Sequence, residues 1–142
     1  MAKLLRFVAL PGGEKSRTME ASFYLLAVRL AFGLLPLPRA LKLFGIVRSE
    51  AGCGQNSAAE VELIGRAIER AARHVPFRAV CLQQAFAALL MLRRRGLPAT
   101  VQLGLLRDGN ELKAHAWSLC GDVPVTGVTL ARGYSQIAVF AG

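Results

Sequence analysis

Near residue 99 the hydrophobic pattern of this chain changes period, and that change limits the folds open to it. Before it, apolar residues recur at helical spacing and each run ends on a glycine or proline. After it come short runs rich in branched and aromatic residues, separated by turns bearing Gly and Asp. The fold class that follows is α+β: helices first, then an antiparallel sheet.

The helical part is punctuated clearly. Residues 1–16 read as a basic arm ending in a turn at Gly12-Gly13, with Ser16 or Thr18 capping a helix that runs to about Phe32 and stops at Gly33. Leu34-Leu35-Pro36-Leu37-Pro38 is a corner. Pro38 suits the first turn of a short helix, Arg39 to Phe44, which Gly45 ends. Residues 49–57 are a small polar loop. Ser57 and Glu60 have the capping-box spacing for a helix from Ala58 to His74, with Val61, Ile64, Ala67, Ile68 and Ala71 on one face. A fourth helix runs from Cys81 to Arg95. Leu82, Ala85, Phe86, Leu89 and Leu92 form its buried stripe, and Gly96 stops it after a cationic last turn.

Four strands are predicted beyond it: Thr100 to Leu106, Leu112 to Cys120, Val123 to Leu130, and Ile137 to Ala141. Hairpin turns fall at Asp108-Gly109 and Gly121-Asp122. The 142 residues suit one domain, with residues 1–75 as a helical amino-terminal region and 76–142 as the core that carries the chemistry.

Composition narrows the function. With 54% hydrophobic and 19% charged residues the chain is not a disordered one. Its net charge of +9 is uneven: residues 1–48 hold eight lysines and arginines against two glutamates. Such a front half suits an anionic partner. One Trp, two Tyr and no nucleic-acid motif argue against nucleic acid as that partner. Three cysteines at unrelated spacings make no disulfide framework and fit a reducing, cytoplasmic setting. The apolar window 21–38 carries a single charge, Arg29, but is broken by Gly33 and Pro36. It reads as a buried or surface-seated helix, and contact with a membrane surface stays open.

The chemistry rests on Cys81 and His115. Cys81 opens a helix, where unpaired N–H groups and the helix dipole favour thiolate over thiol. A lone cysteine in an Ala- and Leu-rich helix is otherwise an ordinary core residue. His115, in Ala114-His115-Ala116-Trp117, sits in a rigid strand between two small residues and shares a strand face with Trp117 and Leu119. His74 reads as a cation at a helix end. Cys53, Cys81, Cys120, His74 and His115 show no ligand-pair spacing, so neither a metal nor another cofactor is expected.

The ordered text Cys81-Leu82-Gln83-Gln84-Ala85-Phe86-Ala87, Met91-Leu92-Arg93-Arg94-Arg95-Gly96-Leu97-Pro98-Ala99, Val101-Gln102-Leu103-Gly104 and Ala114-His115-Ala116-Trp117 is similar to that of lasso-peptide leader peptidases. Glu20-Ala21-Ser22 and Leu35-Pro36-Leu37-Pro38-Arg39 extend the resemblance over nearly the whole chain. The resemblance implies a transglutaminase-like or papain-like fold and a cysteine peptidase that removes the leader from a ribosomally made precursor peptide. It implies two partners besides that precursor: a separate leader-binding protein of winged-helix type and a macrolactam cyclase.

The resemblance carries the nucleophile onto Cys81 and the general base onto His115. The third member is harder to place. The family has an acidic residue about a dozen positions after the histidine, where Thr126 and Gly127 stand here. Asp122 is the nearest acid and the candidate. Seven residues along a regular strand is on the order of 23 Å, so Asp122 reaches the ring only if the hairpin bends back. A two-residue turn at Gly121-Asp122 sets Val128 opposite His115 and Thr126 diagonal to it, which makes the Thr126 hydroxyl or a backbone carbonyl another acceptor. The alternative function is a transglutaminase-like peptide-binding module with weak or no catalysis.

Overall fold

The computed structural model describes residues 12–48, 58–76, 79–97, 99–120, 123–127 and 133–141. Among these residues, four helices and five strands follow in the order α1 (Gly12–Leu34), α2 (Leu37–Leu43), β1 (Val47–Arg48), α3 (Ala58–His74), α4 (Cys81–Arg94), β2 (Thr100–Asp108), β3 (Glu111–Cys120), β4 (Val123–Thr126) and β5 (Ser135–Ala141). The strands form one antiparallel sheet in the order β1-β5-β2-β3-β4. The fold is the expected α+β, with one addition. The two-residue strand β1 lies in the amino-terminal half and pairs Val47 with Ala141 and Arg48 with Phe140 of β5.

Helix α4 is the centre of the molecule. Its sequence Ala85-Phe86-Ala87-Ala88-Leu89-Leu90-Met91-Leu92 has no polar residue over two turns, and all eight side chains are buried. The single buried stripe expected for it is too narrow. Helices α1 and α3 cover it on one side and the sheet covers the other. Phe86 joins these layers, lying edge-on to Phe32 of α1 at 5.3 Å and against Phe140 of β5 at 5.8 Å. Contacts of this kind are worth about 1 kcal/mol each beyond the area they bury.

Helix α1 begins earlier than the Gly-Gly pair suggests. Gly12 and Gly13 are helical, and Thr18, rather than capping, turns its hydroxyl back onto the Glu14 carbonyl (2.8 Å). The helix gains more from packing than two glycines cost it, at roughly 1 kcal/mol each. Ala21, Leu25 and Val28 are fully buried, while Met19, Phe23, Leu26, Leu30 and Leu34 are exposed. The apolar window is thus a surface-seated helix. Among the described residues no helix is long and apolar enough to cross a membrane. Ser57 lies outside the described residues. Its expected capping partner Glu60 points elsewhere, onto Arg17 (3.3 Å) and Arg95 (3.1 Å).

The first hairpin turns one residue later than expected. Asp108 pairs with Glu111 around Gly109-Asn110, with a left-handed φ of 62° on the glycine. The hairpin from β3 to β4 departs further. Cys120 faces Val123 and Leu119 faces Pro124, but Ser118 faces Thr126, so a bulge shifts the register by one. Pro124 has no N–H to give the ladder, and proline within a sheet keeps to edges and bulges. Val128, the expected neighbour of His115, lies outside the described residues.

Candidate active site

Cys81 is the first residue of α4. Val80 before it is extended (φ −79°, ψ 167°) and offers no capping side chain. The segment is held instead by Gln84, whose side-chain amide donates to the Ala79 carbonyl (2.8 Å). The helical ladder starts with the Gln84 N–H on the Val80 carbonyl (3.0 Å). The amides of Cys81, Leu82 and Gln83 precede that first bond, so they are the helix's unshared donors.

His115 lies on β3, opposite Gly104 of β2, and is 8% exposed. Its ring is fixed by three neighbours. The Trp117 indole stacks on it (centroids 5.9 Å apart, 23° between planes), and Tyr134 packs at 5.5 Å. Nε2 lies 2.7 Å from the Gly127 carbonyl oxygen. A carbonyl only accepts, so Nε2 carries the proton of this bond and Nδ1 of the neutral ring keeps its lone pair.

Trp117 has supports of its own. Its indole N–H donates to the Gln102 side-chain oxygen at 2.8 Å. Its ring lies across Gly104, where a Cβ would come within 2.7 Å of it. The run Val101-Gln102-Leu103-Gly104 therefore supplies both the anchor and the space for the aromatic platform under His115.

Cys81 and His115 line one cavity of about 210 Å³, together with Leu82, Leu103, Gly104, Leu105, Ala114, Ala116 and Ile137. Its walls are almost wholly apolar. Alternation along β3 sends Ala116 and Cys120 into the helical core, while Trp117 is buried outside that core, on the side of His115. Both residues border the cavity, but the imidazole lies on the face of β3 away from the helical core, and no hydrogen bond joins it to the thiol in this structure.

The other sequence candidates separate from this pair. Asp122 and Cys53 lie outside the described residues. Cys120 is buried at the end of β3, and burial pushes its thiol above its ordinary pKa. His74 ends α3, exposed, with Nδ1 against the Arg70 carbonyl (2.6 Å). Thr126 does not bond the imidazole: its hydroxyl pairs with Ser118 at 2.7 Å in a buried contact. The structure adds Gln84, Gln102, Tyr134 and Gly127 to the site. Of these, Gly127 had a visible signal, since it stands where the resemblance asks for an acid.

A cysteine at the start of a central helix, packed on an antiparallel sheet whose neighbouring strand holds a histidine, is the layout of a transglutaminase-like fold. The transglutaminase-like superfamily matches residues 24–139, and the chain belongs to it. The superfamily includes cysteine peptidases and transglutaminases. No curated protein and no solved structure shows a significant match to the chain.

Proposed function

We propose that this protein is a cysteine peptidase that removes the leader of a lasso-peptide precursor, acting with a separate leader-binding protein and ahead of a macrolactam cyclase. The observation that carries the reading is Cys81 at the amino terminus of α4 with His115 on a strand that borders the same cavity. The ordered motifs that resemble leader peptidases supply the substrate and partners. The sulfur of Cys81 attacks the scissile carbonyl as the Nδ1 of His115 takes the thiol proton. The tetrahedral intermediate places its oxyanion at the free amides that open α4. It collapses with cleavage of the C–N bond as His115 passes the proton to the leaving amine. Water then hydrolyses the thioester and releases the leader's carboxylate. Sulfur and imidazole do not touch in this structure, so the reaction requires the amino terminus of α4 and β3 to bring them together when substrate binds, the stage at which catalytic hydrogen bonds commonly tighten. The leader-binding protein raises the local concentration of precursor, so the peptidase needs little affinity of its own.

A peptide-binding module without catalysis is the second reading, favoured by the glycine at the position where an acid is expected. One experiment separates the two. A lasso-peptide precursor and a leader-binding protein are mixed with the wild-type chain, Cys81→Ala or His115→Ala, and cleavage is followed by mass spectrometry. Wild type cleaves, strongly only with the leader-binding protein present, and both variants lose at least about 1,000-fold in rate. Cleavage by Cys81→Ala at the wild-type rate would end the peptidase reading.

A further inference from the structure

We infer that the main-chain carbonyl of Gly127 is the positioning group of this site, standing where the resemblance places a carboxylate. The inference rests on the reading of His115 as the base. Among the described residues Nε2 of His115 meets one acceptor, the Gly127 oxygen at 2.7 Å. Thr126, the neighbouring side chain able to accept, is engaged with Ser118. Position 127 also has no room for a side chain. Its φ is +68°, and a Cβ there would lie 2.9 Å from the Ala116 carbonyl oxygen and 3.0 Å from Nε2 of His115 itself. A carboxylate-bearing residue at 127 would displace the ring it is meant to hold. The bulge opposite Ser118 brings the Gly127 carbonyl to the ring, and the glycine lets the ring lie against the chain.

The chemical consequence is specific. A carbonyl sets the ring's orientation and tautomer as a carboxylate does, but it brings no charge. His115 is thus held with Nδ1 free while no acid takes part, and Asp122 is dispensable.

Two measurements test this. In long-range proton–nitrogen spectra of the Cys81→Ala protein labelled with 15N-histidine, recorded with the ring neutral, His115 should be the Nε2–H tautomer. In Gly127→Ala that single tautomer should give way to a mixture. An Nδ1–H tautomer in the Cys81→Ala protein overturns the inference, and that measurement needs no change at position 127. Iodoacetamide alkylation of Cys81 at neutral pH gives the second readout, with no precursor required. Asp122→Asn should react within about twofold of wild type, whereas His115→Ala should slow at least about tenfold. If Asp122→Asn slows as much as His115→Ala, the acid is the positioning group and Gly127 is not. An Nε2–H ring in a protein that never cleaves precursor would leave the Gly127 assignment standing while the peptidase reading fell.

Discussion

Gly104 and Trp117 show how much one missing Cβ can matter at the residue scale. The indole needs the empty space over Gly104 to lie flat, and the imidazole stacks on the indole. A methyl group at position 104 would press on the Trp117 ring at 2.7 Å and on the Ser135 carbonyl at 3.1 Å. The ring can swing; the carbonyl cannot. Gly104→Ala should therefore cost about 1–2 kcal/mol in urea unfolding. It should also break the Trp117–Gln102 hydrogen bond and shift the emission of the only tryptophan. Unchanged emission and an unchanged unfolding midpoint would mean that the indole does not rest on Gly104. Cys81 and His115 stood out as candidates because their chemistry lies in side chains at a helix start and in a strand. The acceptor of the His115 proton was legible only as a kind, a backbone carbonyl or the Thr126 hydroxyl, and not as a position. A backbone carbonyl has no letter, and its trace in the sequence is a glycine where an acid was expected.

Elements were read well where local signals set them and poorly where pairing did. Gly45 and Gly96, with φ of 70° and 72°, ended α2 and α4 close to where the sequence placed the stops. Helix α1 ran through Gly12-Gly13 because its inner face is anchored by Leu25 and Val28, a tertiary gain that propensity does not register. Strand β1 has two residues and no alternation to detect; it exists because β5 offers an edge. The bulge in β3–β4 is likewise a property of the pair, although Pro124 was its hint. Helix α3 makes an element-scale prediction from the same hairpin. Gly65 faces β4 so closely that a Cβ would sit 2.7 Å from the Val125 carbonyl oxygen. That oxygen is main chain and cannot step aside, so the whole helix must back away. Gly65→Ala should lower stability by about 2–3 kcal/mol despite the better helix propensity of alanine. An Ala variant as stable as wild type in urea unfolding would show that α3 can slide on the sheet at no cost.

At the scale of the molecule, three helices meet at one ion cluster at the carboxyl end of α4, the end away from Cys81. Arg95 donates to Glu20 of α1 at 2.7 and 2.9 Å and to Glu60 of α3 at 3.1 Å, and Arg94 also reaches Glu20. The Glu20 side chain is only 11% exposed, so solvent screens it little. Burial alone would raise its pKa, but the hydrogen bonds and charges of Arg95 and Arg94 outweigh that and hold it below the ordinary glutamate value. A carboxyl depressed in the folded state binds its proton more readily when unfolded. Its contribution is therefore complete above the unfolded value, about pH 4.3, and is lost as pH falls through the folded one. Arg94 is mostly exposed and adds little, so the contribution is that of the Arg95 pair, about 2 kcal/mol. Glu20→Gln should accordingly be less stable than wild type by about that amount near pH 7. The gap should narrow steadily below about pH 4, where wild type protonates Glu20 and loses the same pairing. Urea unfolding of both proteins across that range reads the difference directly. A gap that stays constant with pH would mean that glutamine disturbs packing rather than charge, and the three helices would then owe their register to the apolar contacts of Phe86 and its neighbours instead.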